Sequence, residues 1–119
     1  MKLAMMMVLT PDLAEARRFY GEVLGFRVIA EDDRRLTLEH DGAAFQVFRC
    51  EAPAPAARHG ASAASVFVFG VADIDAAMAQ LTARGVRFIH ERPAVSDLGR
   101  YAAFQAPGGN VHEIFQPAA

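Results

Sequence analysis

The hydrophobic positions of the first 26 residues change period once, from a continuous run to helical spacing. Residues 3–9 form an apolar run of strand length, which predicts a buried strand. Asp12 then stands where a helix N-cap residue belongs, and Gly25 suits the left-handed residue that ends a helix. Between them, apolar residues recur three and four positions apart and predict one buried helical face: Leu13, Ala16, Phe19, Tyr20, Val23 and Leu24.

Three strands are predicted to follow this helix, over residues 26–31, 35–40 and 43–49. In residues 35–40 the leucines alternate with polar residues, which is the period of a strand that buries one face. Asp41-Gly42, between the last two strands, is a strong signal for a tight hairpin turn. The first 49 residues therefore have the predicted order β-α-β-β-β.

The pattern then breaks and starts again. Residues 50–64 lack periodicity and are rich in alanine and proline, which is typical of a linker. After this segment, Asp73 is the predicted cap of a second helix and Gly85 its predicted end. The remaining residues predict strands over 65–71, 86–90, 100–105 and 110–116, with a loop over 93–99.

Corresponding signals in the two halves lie at a nearly constant distance, which indicates an internal repeat. Asp12 and Asp73 are 61 positions apart (73 − 12). Gly25 and Gly85 are 60 positions apart (85 − 25). The prediction is an α+β fold in which two βαβββ modules make up a single domain over residues 1–119. Module 1 covers about residues 1–49, the linker about 50–64 and module 2 about 65–119.

Charge and cysteine content narrow the function classes. The chain has 12 basic and 14 acidic side chains, a net charge of −2 and no basic run, which argues against binding to nucleic-acid phosphates. The apolar run at residues 3–9 is too short to span a bilayer. A single cysteine, Cys50, allows no internal disulfide. We therefore expect a cytoplasmic protein without nucleic-acid or membrane partners.

Two segments resemble a known superfamily. The sequence FYGEVLGF at residues 19–26 is similar to the first-helix signature of the vicinal oxygen chelate superfamily, and APGGNVHEIF at residues 106–115 is similar to its last hairpin. That superfamily includes glyoxalase I, bleomycin-resistance proteins, fosfomycin-resistance enzymes and extradiol dioxygenases. The resemblance implies a glyoxalase-like fold, a pair of half-barrels that usually assembles as a homodimer.

The resemblance also implies where a metal would bind, because metal sites of this superfamily use one inward residue from each of four strands. Counted from the two helix caps and the last hairpin, those positions are Met5, Gln46, Phe67 and Glu113. Phenylalanine donates nothing to a metal, and a methionine thioether suits soft metals. Residues 3–9 and 65–71 contain no His, Asp, Glu or Asn, so a shifted register does not restore the site. We therefore expect a degenerate site, with no metal and no cofactor.

Glu113 is the best candidate for chemistry. A carboxylate on an otherwise apolar strand face could act as a base or hold a polar ligand group, and the alternative is a carboxylate satisfied by an arginine or by backbone donors. Gln46 could hydrogen-bond the same ligand, or it could have a structural role alone. The four histidines are scattered without metal-ligand spacing and are predicted to be surface residues, with His112 facing away from Glu113.

The other candidate residues are expected around the same cleft. Met5 and Phe67 are predicted to line it, with ordinary core packing as the alternative. Arg100 and Tyr101 follow a predicted loop and could reach the cleft mouth, although solvated strand positions are the favoured explanation for both.

Three functions fit these features. The first is a metal-free homodimer that binds a small apolar or aromatic molecule. The second is a glyoxalase-, dioxygenase- or isomerase-like enzyme that uses Glu113 as a base or an atypical metal site. The third is a dimeric fold with no ligand of its own. The sequence leaves open whether the protein is an enzyme, and it does not identify the ligand.

Overall fold

The computed structural model describes residues 1–53 and 65–119 of the chain. The chain divides into two compact units. Unit 1 comprises Met1–Pro55 together with Pro107–Gly109, and unit 2 comprises Ala56–Ala106 and Asn110–Ala119. Most of the predicted linker, residues 54–64, lies outside the described residues.

Unit 1 has the predicted βαβββ order. Its elements are β1 (Met7–Thr10), α1 (Leu13–Ala16) with a π-helical continuation (Arg17–Val23), β2 (Arg27–Glu31), β3 (Arg35–His40) and β4 (Ala43–Arg49). The strands form one sheet in the order β1-β4-β3-β2, in which β1 is parallel to β4 and the other neighbours are antiparallel. A parallel pair needs a long connection between its strands. The helix, β2 and β3 provide this connection between β1 and β4.

Helix α1 begins and continues for local reasons. The Asp12 side chain accepts a hydrogen bond of 3.0 Å from the backbone N–H of Glu15, which confirms the predicted cap. Further along, the backbone N–H of Leu24 donates to the carbonyl of Phe19 at 2.9 Å, five residues back, so the last turns are wider than those of an α-helix. Gly25 follows with φ +85°, as predicted.

One face of the unit 1 sheet packs against this helix and forms the core of the unit. The contributing side chains are almost wholly buried, and they alternate along each strand as a half-buried sheet requires. They are Val8, Leu36, Leu38, Phe45 and Val47 from the sheet, and Ala16, Phe19, Tyr20 and Val23 from the helix. We call the opposite side of each sheet, away from its helix, the open face.

Unit 2 repeats the plan. Its elements are β5 (Phe67–Gly70), α2 (Ile74–Ala83), β6 (Ala94–Val95), β7 (Gly99–Gln105) and β8 (Val111–Pro117), and the sheet order is β5-β8-β7-β6. The Asp73 side chain caps α2 by accepting from the N–H of Ala76 at 3.1 Å, and Gly85 follows the helix with φ +93°. Both predicted signals are therefore confirmed in the second unit.

The predicted strand over residues 86–90 is wrong as a full strand. This segment makes one bridge to β7, between Phe88 and Phe104, and the edge strand of the sheet is instead β6, inside the predicted loop at 93–99. The reason lies at His90, whose side-chain Nδ1 accepts the hydrogen bond from the N–H of Ala103 at 2.9 Å. An imidazole thus takes the place of a backbone carbonyl, and the ladder stops there.

The Pro107–Gly109 turn is a 3₁₀ turn that belongs to unit 1, although it lies between β7 and β8 in sequence. Gly108 has φ +80°, and a Cβ atom added there would lie 2.5 Å from the carbonyl oxygen of Leu9 and 2.9 Å from Cα of Thr10. Only glycine fits this approach without displacing backbone. Within residues 1–53 and 65–119, no helix is long and apolar enough to cross a membrane.

Candidate functional site

The open face of unit 1 carries a row of three side chains across adjacent strands. Met7 on β1 pairs with Gln46 on β4, and Gln46 pairs with Thr37 on β3, so all three point to the same side of the sheet. Val47, the next residue on β4, points to the helix and is completely buried. We call Met7, Gln46 and Thr37 the unit 1 row.

Gln46 is held in place by its neighbour in this row. The Thr37 hydroxyl donates a 2.6 Å hydrogen bond to the side-chain oxygen Oε1 of Gln46, and both residues are half-buried. Met7, on the other side of Gln46, is 45% exposed. The row therefore presents an amide beside an apolar side chain, which is a common composition for a small-molecule site.

Met5 does not occupy the position beside Gln46. Strand β1 begins at Met7, and Met5 precedes it as an exposed residue. The carbonyl of Met6 accepts from the backbone N–H of Gln46 at 3.0 Å, so the chain runs alongside β4 before the strand begins. The structure thus brings Met7 to the place that sequence reasoning gave to Met5.

The open face of unit 2 carries an equivalent row. Val68 on β5 pairs with Glu113 on β8, and Glu113 pairs with Ala103 on β7. We call these three residues the unit 2 row. Val68 is 51% exposed, Glu113 is half-buried and Ala103 is buried. The predicted placement of Glu113 on an apolar strand face is consistent with these neighbours.

The prediction that Phe67 shares a pocket with Glu113 is wrong. Phe67 pairs with His112, so Phe67 and Glu113 point to opposite faces of the sheet. The Phe67 ring lies against the imidazole of His112 with ring centres 5.2 Å apart. Phe67 is therefore part of the helix-side packing of unit 2.

The error came from the counting interval, which was one residue shorter in the second unit than in the first. Met5 lies seven positions before its helix cap (12 − 5), whereas Phe67 lies six positions before its own (73 − 67). The repeat distance of 61 takes Met7 to Val68, which is the residue that the structure places beside Glu113. A shift of one residue moves every side chain of a strand to the other face.

Arg100 and Tyr101 point to different faces, as neighbours on a strand must. Arg100 lies on the helix side, where it makes a 3.1 Å ion pair with Asp75 of α2 and donates to Oε1 of Gln116 at 3.3 Å. Its predicted role at the cleft mouth is therefore wrong. Tyr101 pairs with Phe115 and shares the open face with Glu113, so it stays a candidate.

Gln116 links this helix-side network to the start of α2. Its Oε1 also accepts from the backbone N–H of Ile74 at 2.9 Å, which is one of the orphan donors of a helix N-terminus. A cavity of about 270 Å³ lies beside Arg100 and Gln116 and does not include Glu113. Because its polar side chains hold the helix in place, we assign this network a structural role.

His112 is buried, so its prediction as a surface residue is wrong, although it does face away from Glu113. The side chain is 2% exposed and lies among the rings of Phe67, Phe69 and Phe104. Burial lowers the pKa of the imidazole from 6.5 to about 4, because an apolar environment disfavours the charged form. The imidazole is therefore neutral at pH 7.

The donor set does not fit a hard divalent metal ion. The unit 1 row offers one amide oxygen and a thioether, and the unit 2 row offers one carboxylate beside a valine and an alanine. Divalent ions such as Zn²⁺ and Mn²⁺ take several His, Asp or Glu ligands at one point. In residues 1–53 and 65–119, no group of three such side chains could hold a metal ion.

Two mixed four-stranded sheets, each built from a βαβββ unit, define the vicinal oxygen chelate class of folds. The family model described as the Glyoxalase/Bleomycin resistance protein/Dioxygenase superfamily matches residues 2–114. This match extends over both units, and the chain belongs to that superfamily.

Solved structures share the fold at low sequence identity. The antibiotic binding protein TnmS3 from Streptomyces sp. CB03234 is 24% identical, with a TM-score of 0.68 and coverage of 98% of each chain. A glyoxalase family protein from Enterococcus faecalis is 22% identical, with a TM-score of 0.77 and coverage of 96% of each chain. The fosfomycin resistance protein FosX from Listeria monocytogenes is 16% identical, with a TM-score of 0.78 and coverage of 99% of this chain and 94% of that chain. Among curated proteins, none matches this chain.

Proposed function

We propose that this chain is a metal-free protein that binds a small, partly apolar molecule on its open sheet faces, with Gln46 and Glu113 as polar anchors. The observation that carries the proposal is the composition of the two rows. Each row places one polar side chain next to an exposed apolar one, at matching positions of the two sheets. A mostly apolar surface with few polar groups is typical of small-molecule sites.

The neighbouring surface supports the same function. Leu9, next to the unit 1 row on the open face of β1, is 46% exposed. Soluble proteins rarely leave neighbouring apolar side chains open to water without a use for them. A structurally similar protein is described as an antibiotic binding protein, so this fold supports such a function elsewhere.

Copurification tests the proposal directly. Native mass spectrometry of the purified chain, combined with elemental analysis, should detect a bound organic molecule and no stoichiometric metal. Gln46→Leu and Glu113→Gln should each abolish or weaken the binding of that molecule. Arg84→Leu, at an exposed helix end, serves as the matched control. A stoichiometric divalent metal that is lost in Glu113→Gln would contradict the proposal.

A second candidate function is an enzyme related to glyoxalases, dioxygenases or isomerases, with Glu113 as a general base. The half-buried carboxylate between Val68 and Ala103 favours it, because a base in an apolar setting is a common catalytic device. The two functions differ in the behaviour of one variant. Glu113→Gln would abolish turnover while it keeps ligand affinity in an enzyme, and would weaken affinity alone in a binding protein.

The assembly that fits this function is a cytoplasmic homodimer. A second copy would cover part of the exposed apolar surface, which favours self-association. Light scattering over a range of micromolar concentrations should give twice the mass of the 12.9 kDa chain. A constant monomer mass over that range would contradict this part of the proposal.

A further inference from the structure

We propose that Thr37 is a positioning residue that holds the oxygen of the Gln46 amide and leaves its NH₂ group for the ligand, so that the unit 1 row selects ligands with an acceptor oxygen. This inference rests on the proposed binding function and adds the class of ligand group that Gln46 recognises. Thr37 has no counterpart in the unit 2 row, where Ala103 occupies its place. The proposal therefore concerns unit 1 alone.

The hydrogen bond between the two side chains decides which end of the amide is available. A glutamine side chain carries one acceptor oxygen and one NH₂ group, and rotation about its last bond exchanges them. At 2.6 Å from Oγ1 of Thr37, Oε1 of Gln46 is engaged by a donor. Among residues 1–53 and 65–119, Nε2 of Gln46 has no hydrogen-bond partner. The NH₂ group is therefore the end of the amide left for a ligand.

Apart from the Thr37 hydroxyl, the described side chains next to Gln46 on this face include no strong hydrogen-bond acceptor. Met7 lies on one side of Gln46, and Ala44 and Phe48 share its face along β4. A thioether is only a weak acceptor, and the other two side chains are apolar. The nearest carboxylate on this face of β3 is Glu39, which is engaged by Arg27 in a 2.9 Å ion pair.

These features describe the complementary ligand. An apolar or aromatic body would lie on Met7 and Phe48, and an oxygen that accepts a hydrogen bond would meet Nε2 of Gln46. Carbonyl, carboxylate and sulfonyl oxygens share this property. A ligand of the same shape without the oxygen would cover the amide and leave its donor unsatisfied, which typically costs about tenfold in affinity.

Two probes of nearly equal shape test the inference on the full chain. 2-Acetylnaphthalene carries a carbonyl oxygen where 2-isopropenylnaphthalene carries a CH₂ group. The affinity ratio of the two probes is measured by fluorescence titration and is normalised to the ratio in Gln46→Leu, which removes their difference in hydrophobicity. We expect a normalised ratio of about ten for the wild-type chain.

Variants at Thr37 separate positioning from packing. Thr37→Val keeps the shape of the side chain and removes its donor, so the amide can rotate and the normalised ratio should fall by about twofold or more. Thr37→Ser keeps the hydroxyl and should keep the wild-type ratio. Thr82→Val, on helix α2 of unit 2, is the matched control and should also keep it.

NMR spectroscopy of the ligand-free chain gives a readout that does not depend on the probes. The side-chain NH₂ signals of Gln46, assigned by their loss in Gln46→Leu, should shift and broaden in Thr37→Val and stay in place in Thr37→Ser. Unchanged signals in Thr37→Val would overturn the positioning role, as would an unchanged affinity ratio in that variant. If the NH₂ signals respond to Thr37→Val but neither probe binds the wild-type chain up to its solubility limit, the ligand selectivity proposed here is refuted, while the binding function is judged separately by copurification.

Discussion

The rows of the two units occupy the same place in equivalent sheets and carry different chemistry. Met7 and Val68 are related by the repeat distance of 61 positions, and both lie beside the polar residue of their row. That polar residue is an amide supported by Thr37 in unit 1, and a carboxylate opposite Ala103 in unit 2. The repeat has kept the backbone register while the side chains of the rows have diverged.

The helix-side faces of the two sheets are closely packed, and this packing restricts which side chains fit there. In unit 1 this face is filled by Phe45 and its neighbours, and in unit 2 by Phe104, Ile114 and His112. Close-packed interiors tolerate few changes of volume, whereas exposed sheet positions tolerate many. Divergence of the rows is therefore compatible with the packing of both sheets, and the exceptional residue on the helix side is His112.

The largest effect is expected from a substitution that breaks the unit 2 sheet. Gly99 has φ +150°, and a Cβ atom there would overlap the carbonyl oxygen of Gln116 and approach the backbone of Pro117. Gly99→Ala should destabilise the chain by more than about 3 kcal/mol or prevent folding, because both the dihedral angle and the contact are unfavourable. Thermal melting followed by circular dichroism measures the loss.

Gly42 provides the matched control for this prediction. It also has a positive φ, +78°, but an added Cβ would meet nothing within 4 Å. Gly42→Ala should cost only about 1–2 kcal/mol, the price of a left-handed alanine. If Gly99→Ala melts no lower than Gly42→Ala, the close approach at Gly99 is not a constraint on the fold.

The next largest effect is expected from acid, which should destabilise unit 2 more than unit 1 because of His112. The unfolded chain binds a proton at this histidine near pH 6.5, whereas burial lowers the pKa in the folded chain to about 4. The stabilisation is therefore complete above about pH 6.5 and is lost as the pH falls towards 4, by about 3 kcal/mol in total. Phe45 holds the equivalent position in unit 1, next to Gln46, and does not titrate.

Hydrogen exchange can measure the acid-induced loss of stability in each unit separately. Amides of β7 and β8 should exchange much faster at pH 4.5 than at pH 7 after correction for the intrinsic rate, while amides of β3 and β4 should change less. His112→Leu should remove the difference, and His40→Leu, at an exposed histidine, should retain it. An equal pH response of both units in the wild-type chain would show that His112 does not control acid stability.

A smaller effect should distinguish the two faces of β5. Phe67→Ala removes a ring that packs on His112 and should cost about 2 kcal/mol of unfolding free energy, less than a fully buried phenylalanine because Phe67 is half-buried. Val68→Ala, on the open face, should cost less than about 1 kcal/mol. Urea denaturation measures both values. Equal costs would mean that the alternation of β5 is not the one described.

Most of the fold could be predicted from the sequence because its signals are local. The Asp12 and Asp73 caps and the positive φ angles of Gly25 and Gly85 are all present, and each depends on a few neighbouring residues. The edge strand β6 could not be predicted, because the segment before it stops pairing where the His90 side chain accepts from Ala103, 13 residues further along the chain. Local patterns carry no information about such a contact.

The candidate site was predicted less well, since it depends on which face of the sheet each side chain points to, and not only on where the strands lie. Gln46 and Glu113 lie on open faces, where the resemblance placed them, whereas Phe67 was displaced by a single residue and therefore reversed. The alternation of the strand correctly placed His112 and Glu113 on opposite faces of the sheet. It did not reveal that the face with His112 is buried against a helix. That both Gln46 and Glu113 bind one ligand stays a prediction.

The smallest effect is expected from metal ions. EDTA, Mn²⁺ or Zn²⁺ should shift the melting temperature of the chain by less than about 1 °C, because an ion that binds weakly or not at all adds little to the folded state. An ion held in one row at 100 times its Kd would add about 2.7 kcal/mol and raise the melting temperature by several degrees. The comparison of the rows indicates which residue would be responsible, since Glu113 is the single carboxylate in either row. A metal-induced rise that disappears in Glu113→Gln and persists in Gln46→Leu would show that unit 2 binds a metal through ligands beyond its row, and the proposed metal-free function would then be wrong.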